Sequence, residues 1–278
     1  MKLVTFIEGN SEPRPGLLTN NGAVDLAAQG FKDTIAFIAA PTSVQTEVAR
    51  SHATFSLDMV RLLAPILAPP RIFAIGLNYA EHAAETKARL RDAPTVFIKL
   101  SSAVVGPGAN VVLPHNSSEV DYEAELAVVI GKAGFRIPAS QWQQHVFGYT
   151  IMNDVSARDV QRATSQWTLA KSFPTFAPMG PWIVSKDEIA DPHALGISLT
   201  IGGERLQDSN TSQLIYKIPA LIEYLSSITP LQAGDIISTG TPAGVGLGRT
   251  PQRWLRPGEE MTVAIDRIGE LRNPIVAE

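Results

Sequence analysis

The sequence predicts an α+β protein, a large mixed β-sheet with few short helices, preceded by a small N-terminal α/β unit. Three observations carry the prediction. Short apolar runs of strand character recur from Arg71 onward, helical periodicity is scarce, and the helices do not alternate regularly with the strands. The last point argues against a doubly wound sheet or a (β/α)8 barrel, which need a helix after nearly every strand. Pro65, Pro69 and Pro70 mark a boundary between a small domain of residues 1–70 and a larger one of 71–278.

In the first unit, Leu3 to Ile7 reads as a strand and the Pro13/Pro15/Gly16 cluster as a turn. Leu17-Leu18 and Val24 to Leu26 flank Asn20-Asn21-Gly22, a hairpin signal. Phe31 to Ala39 and Thr42 to His52 read as short helices. Beyond Pro70, strands are expected at Arg71 to Ile75, Thr95 to Ile98, Val120 to Ile130, Val146 to Met152, Trp182 to Val184, Ile197 to Ile201, Asp235 to Ser238 and Met261 to Ile265. Helices are expected at Tyr79 to Arg91, Ala157 to Thr164 and Ile218 to Ser227.

The composition removes several classes of function. With no cysteine, disulfides, thiolate metal sites and cysteine nucleophiles are excluded, and the absence fits a cytoplasmic protein. A net charge of −4 with no basic stripe argues against nucleic acid as a partner. No apolar run approaches the length of a membrane span, and Glu8 interrupts the N-terminus too early for a signal peptide.

The stretch DYEAEL places Asp121, Glu123 and Glu125 at alternate positions before an apolar run. Strand side chains alternate, so the acids share a face. Crowded, partly buried carboxylates are costly unless a cation joins them, and oxygen-only donors suit Mg²⁺, Mn²⁺ or Ca²⁺. Asp154, after the strand ending at Met152, is the candidate third ligand. The competing readings are a solvent-facing strand for the glutamates and a helix N-cap for Asp154, with Ser156 and Asp159 in a capping-box pattern.

His82 and Glu85 stand three apart on the expected helix, which Asn78 and Glu81 would cap. They form either a general-base pair or an incidental surface pair. Lys171, in aromatic and proline-rich sequence, either snorkels from an apolar patch or faces a site. The glycines of STGTPAGVGLG lack phosphate-loop spacing and a following helix, although the loop's N–H groups and Thr241 could approach a ligand. His52, His115, His145 and His193 show no ligand spacing and read as surface or loop residues.

Five blocks in order, IGLNYAEHAAE, DYEAELAVVIGK, MNDVSARDVQ, LAKSFPTFAPMGPW and ISTGTPAGVG, resemble the fumarylacetoacetate hydrolase family from about Arg71 to the C-terminus. The resemblance implies that family's β-sheet roll, homodimers, and Glu123, Glu125 and Asp154 as ligands of Mg²⁺ or Mn²⁺. It implies His82 and Glu85 as a water-activating dyad on a helical lid, Lys171 beside the metal, and Gln161 and Thr241 as substrate contacts. Asp121 is not a ligand in that pattern and is expected to be a surface or supporting acid. The implied activity is hydrolysis of C–C bonds in small 2,4-dioxo carboxylic acids (acylpyruvase type). The alternatives are oxaloacetate tautomerase or decarboxylase, hydrolysis or dehydration of deoxy sugar acids, and a structural metal site without catalysis. Pro174 stands where many relatives carry an acid, which makes substrate transfer less secure. The sequence between Asn153 and Lys217 looks most like a subgroup that includes oxaloacetate-directed members.

Overall fold

A computed structural model describes residues 1–19, 22–85 and 92–278. The chain begins with β1 (Lys2–Glu8), β2 (Arg14–Thr19) and β3 (Gly22–Asp25), an antiparallel meander in which Leu17 opposes Val24. Asn20 and Asn21 of the expected hairpin turn lie outside the described residues. The two expected helices are shorter than the sequence suggests, α1 (Thr34–Ile38) and α2 (Thr42–Val48). Asp33 caps α1, its carboxylate accepting from Ala36 N–H at 2.7 Å. Strand β4 (Val60–Leu63) then pairs with β1.

The second part opens with β5 (Ile72–Gly76), α3 (Ala80–Glu85) and β6 (Thr95–Lys99). Residues 86–91 of the helix expected to reach Arg91 lie outside the described residues. Next come β7 (Val104–Val105), β8 (Val111–Leu113), β9 (Val120–Asp121) and β10 (Ala124–Ile130). The strand expected to run unbroken from Val120 to Ile130 is therefore interrupted at Tyr122-Glu123. There the pairing changes partner, from β12 beside β9 to β11 beside β10. Then follow α4 (Trp142–His145), β11 (Val146–Asn153), β12 (Ser156–Ala157), α5 (Arg158–Ala163) and β13 (Ala177–Ser185). The remainder is β14 (Gly196–Ile201), β15 (Glu204–Asn210), α6 (Ile218–Ile228), β16 (Ile236–Ser238), β17 (Glu260–Ile265) and β18 (Gly269–Ala277).

Among the described residues the large sheet runs β3-β2-β1-β13-β11-β10-β16-β5-β6, with β4 and β7 attached to β1 and β13. A second sheet runs β15-β14-β17-β18-β8. Most pairs are antiparallel, while β16–β5, β13–β7 and β18–β8 are parallel. The fold is α+β with mixed sheets, as expected.

The centre of the large sheet is buried on both faces. Along β10, Leu126, Val128 and Ile130 join a core with Leu199 and Val263 of the second sheet and Leu221 and Leu225 of α6. The alternate residues Ala127 and Val129 join a separate core with Leu3, Phe37 and Ile183. This two-sided burial explains why β10 reads as a continuous apolar run rather than an alternating one. It also denies Glu125, at the start of the same strand, a solvent face.

Candidate active site

The acids converge because β10 and β11 are paired in a fixed register. Ala124 lies opposite Asn153 and Glu125 opposite Met152. Asp154 N–H donates to the Glu123 carbonyl at 2.9 Å, and the Asn153 side-chain oxygen accepts from Glu123 N–H at 3.0 Å. Glu123, Glu125 and Asp154 thus meet, 5%, 1% and 1% exposed, and each offers an oxygen within 4.8 Å of the others. Asp154 is not a helix cap: α5 begins four residues later and its N-cap, Ala157, has no side-chain hydrogen bond.

Three buried cations hold the acids. Lys171 Nζ donates to Glu123 Oε2 at 2.7 Å and to Asp154 Oδ2 at 2.8 Å. Lys99 Nζ donates to Asp154 Oδ1 at 2.6 Å and to the Val155 and Lys171 carbonyls. Arg158 bridges Asp121 and Glu123 at 2.9 and 2.5 Å. Glu125 is served by neutral donors, the Ser238 hydroxyl at 2.6 Å and Gly240 N–H at 3.0 Å.

The electrostatics follow from this division. Burial pushes the Glu123 carboxyl up, but Arg158 and Lys171 outweigh it and hold the group below the usual carboxylate range. Glu125 goes the other way: burial, then the charges of Asp154 and Glu123, raise it well above that range. For Lys171, burial is outweighed by Asp154 and Glu123, which keep it charged. Lys99 is lowered, because burial and the repulsion of Lys171 exceed the pull of Asp154. With Asp121, four buried carboxylates face three buried cations. With all of these groups ionised, as ligation of a divalent cation would require of Glu125, the ion would turn that deficit into an excess and so favour an anionic ligand. The donor set, all oxygen and tightly grouped, fits Mg²⁺ or Mn²⁺.

Helix α3 follows β5 and places His82 and Glu85 beside the acids. Asn78 does not cap α3 through its side chain; it latches to Tyr216 and to the Thr239 carbonyl at 2.7–3.0 Å. His82 is 5% exposed and its Nδ1 lies 3.5 Å from Glu85 Oε2. The Glu85 carboxylate accepts from Gly244 N–H at 3.0 and 3.1 Å. The glycine-rich loop after β16 therefore spends its N–H groups on protein carboxylates: Gly246 and Leu247 donate to Asp121 at 2.7 and 3.0 Å. Asp121 is fully buried and fastens this loop to Arg158, which settles it as a supporting residue and not a surface acid.

A cavity of about 380 Å³ opens over the acids. Its polar lining includes His82, Glu123, Glu125, Lys171, Gln161 and Thr241, so every site residue singled out in the sequence borders it except Asp154 and Glu85, which stand behind Lys171 and His82. Gln161 Oε1 accepts from Arg158 at 3.0 Å, and Thr241 Oγ1 accepts from Gln207 at 2.8 Å. The opposite wall is apolar, with Phe97 and Trp167 edge to face at 5.4 Å. Trp167 lies against Gly76, where a Cβ would come within 2.6 Å of the ring.

Residues 71–276 match the family model described as the fumarylacetoacetate (FAA) hydrolase C-terminal domain. The chain belongs to the fumarylacetoacetate hydrolase family. Over 99% of this chain and 92% of the relative, it is 41% identical to the mitochondrial oxaloacetate tautomerase FAHD2B of Bos taurus. Two solved structures of the family superpose over essentially their whole length. One is 5-carboxymethyl-2-hydroxymuconate delta-isomerase from Mycobacterium smegmatis, with a TM-score of 0.81 and 33% identity, covering 100% of both chains. The other is maleylpyruvate hydrolase from Sphingobium sp. SYK-6 in complex with manganese(II) and pyruvate, with a TM-score of 0.84 and 31% identity, covering 100% of this chain and 99% of that one. Like these relatives, the chain is an enzyme, and its substrates are small organic acids.

Membership corrects one expectation. The cytoplasmic location read from the missing cysteines does not stand, because the FAHD2B relative is mitochondrial. A chain without thiols has nothing to oxidise and fits any compartment, so that observation carried no information about place. The remaining histidines also differ from the surface reading in one case. His145 is 8% exposed and its Nδ1 faces the Lys132 carbonyl at 2.9 Å.

The sequence reading missed Arg158 and Lys99 as holders of the carboxylates. Both stood in view, Arg158 inside SARDVQ and Lys99 closing an apolar strand. A basic residue at a strand end ordinarily snorkels to solvent. Only the three-dimensional pairing shows that these two point inward. Pro174 lines a different hollow, with Phe173, His115 and Glu278, and not the cavity over the acids.

Proposed function

We propose that this enzyme interconverts the keto and enol forms of oxaloacetate, using Mg²⁺ or Mn²⁺ held by Glu123, Glu125 and Asp154. The observation that carries the reading is the 41% identity to an oxaloacetate tautomerase over 99% of the chain, laid on a buried carboxylate trio. Glu123, Glu125 and Asp154 would hold the cation, which would supply Lewis acidity to a 2-oxo acid and so make its neighbouring C–H more acidic. His82, which borders the cavity beside Glu123 and Glu125 and turns Nδ1 toward Glu85, takes the proton from C3 and returns it. Glu85, held by Gly244 N–H, orients the ring. Lys171 and Arg158 keep Glu123 ionised, so that it remains a ligand across the neutral range. Phe97 and Trp167 shield the reacting carbon from water, which favours proton transfer over hydrolysis.

The test follows the ultraviolet absorbance of enol oxaloacetate as it decays to the keto form, with Mn²⁺ and after exhaustive chelation. Metal-dependent acceleration is expected; acceleration that survives chelation would defeat the reading.

A second reading, C–C hydrolysis of 2,4-dioxo acids, draws on the maleylpyruvate hydrolase whose structure holds manganese and pyruvate. It needs His82 and Glu85 to activate a water, not to move a carbon-bound proton. Acid release from an acylpyruvate separates the two, since tautomerisation releases none.

A further inference from the structure

Helix α5 brings Arg158, Gln161 and Arg162 to the cavity together, at positions i, i+3 and i+4 of one face. Two of the cavity's cations are already committed. Lys171 and Arg158 have side chains 2% and 4% exposed, and each divides its donors between two buried carboxylates. Arg162 is different. Its side chain is 52% exposed; it borders the cavity and meets Glu119, itself 25% exposed. It stands four residues, ~6 Å along the axis, from Arg158, the arginine that grips Asp121 and Glu123. A partly exposed arginine offers a planar pair of N–H donors matched to a carboxylate.

We propose that Arg162 receives the second carboxylate of a dicarboxylic substrate and makes the site prefer diacids to monoacids. The assignment rests on the reading of the acids as the seat of a 2-oxo acid's chelating end. A ligand anchored there by one carboxylate must send its remaining carboxylate outward, because the inner wall is apolar, anionic, or made of the cations Lys171 and Arg158, already paired with the acids. Gln161 cannot replace the arginine as a charge, and its Oε1 is already taken by Arg158, which leaves its amide N–H₂ as a neutral companion donor. An exposed arginine–glutamate pair is weakly held, so an incoming carboxylate displaces Glu119 at little cost. Glu119 is then a competitor that holds Arg162 when the site is empty.

The test compares binding of malate and lactate to the Mn²⁺-loaded protein by calorimetry. Both offer a 2-hydroxy carboxylate to the ion, and only malate carries a second carboxylate. The wild type should prefer malate, and Arg162→Gln should cut the malate-to-lactate preference about tenfold or more. Arg162→Lys should recover part of it, and Glu119→Gln should keep or increase it, because the competitor's charge is gone. A wild type without preference, or an Arg162→Gln variant with the preference intact, overturns the assignment. So does an equal loss for both ligands, which would mark a general disturbance of the site. If the wild type fails to tautomerise oxaloacetate but shows an Arg162-dependent preference for malate, the reaction proposed above is wrong and Arg162 retains its role.

Discussion

In the proposed metal site, Glu125 is the side chain at which a metal ion and a proton would compete. Burial, Asp154 and Glu123 raise its carboxyl well above the ordinary range. A carboxyl raised in this way favours the protonated fold at low pH and loses that contribution as pH climbs through its folded pKa. Metal ligation needs the carboxylate, so binding expels the proton. Affinity for Mn²⁺ should therefore rise with pH until the raised pKa is passed and then level off. Titration calorimetry in buffers of different ionisation enthalpy reads the expelled proton directly, and a buffer-independent heat would contradict the argument. His82 is separable from this chemistry. Replacing it by alanine should slow proton transfer by about 10²–10⁴-fold while Mn²⁺ affinity stays near that of the wild type. A matching loss of affinity would place His82 among the ligands. Asp121 acts at one remove, through Arg158 and the glycine loop. Asp121→Asn should weaken metal binding or activity about 10–100-fold, the usual effect of disturbing a ligand's supporting shell.

The elements differ in how far they could be read from sequence. Strand β10 was legible because its residues are apolar on both faces, and β11 because its apolar run ends at Asp154. The break between β9 and β10 was not legible. Alternation from Asp121 through Glu125 continues across it, and only the change of pairing partner reveals it. The glutamates and Asp154 could be named from charge pattern and family likeness. Arg158 and Lys99 could not, since nothing local distinguishes an inward cation from a snorkelling one. The glycine loop shows the same limit: its spacing excludes a phosphate loop but does not reveal that its N–H groups hold Glu85 and Asp121. Geometry gives that loop a sharp test. A Cβ on Gly246 would stand 1.8 Å from the Arg253 carbonyl oxygen, and one on Gly248 would stand 2.2 Å from the Glu85 carboxyl. Gly246→Ala meets rigid backbone and should destabilise the fold by about 1–3 kcal/mol. Gly248→Ala meets the end of a side chain and should chiefly displace Glu85, lowering turnover more than melting temperature. Thermal melts and steady-state rates on the two variants decide whether this division of roles holds.

At the scale of the whole molecule, the first strand ties the chain's two parts. Lys2 and Leu3 pair with Val184 and Ile183 of β13, whose other neighbour, β11, leads to Asp154. Leu3, Phe37 and Ile66 share one core with Ala127, Val129 and Met152 from the strands that carry the acids. A core that crosses the proline boundary couples unfolding on its two sides, so calorimetry should record a single transition. Two consequences distinguish this from independent units. Leu3→Ala, at a fully buried position, should cost about 2–5 kcal/mol and lower the unfolding temperature of the catalytic part along with its own. Mn²⁺ at a hundredfold over its dissociation constant should contribute about 2.7 kcal/mol to the folded state. Because the proposed ion site lies at the ends of β10 and β11, that gain should shift the entire transition, residues 1–70 included. Hydrogen exchange of the β1 and β2 amides, followed with and without Mn²⁺, provides the local readout. Slower exchange there on metal binding is the expected result; protection confined to residues beyond 70 would show that the proline boundary is also a thermodynamic one.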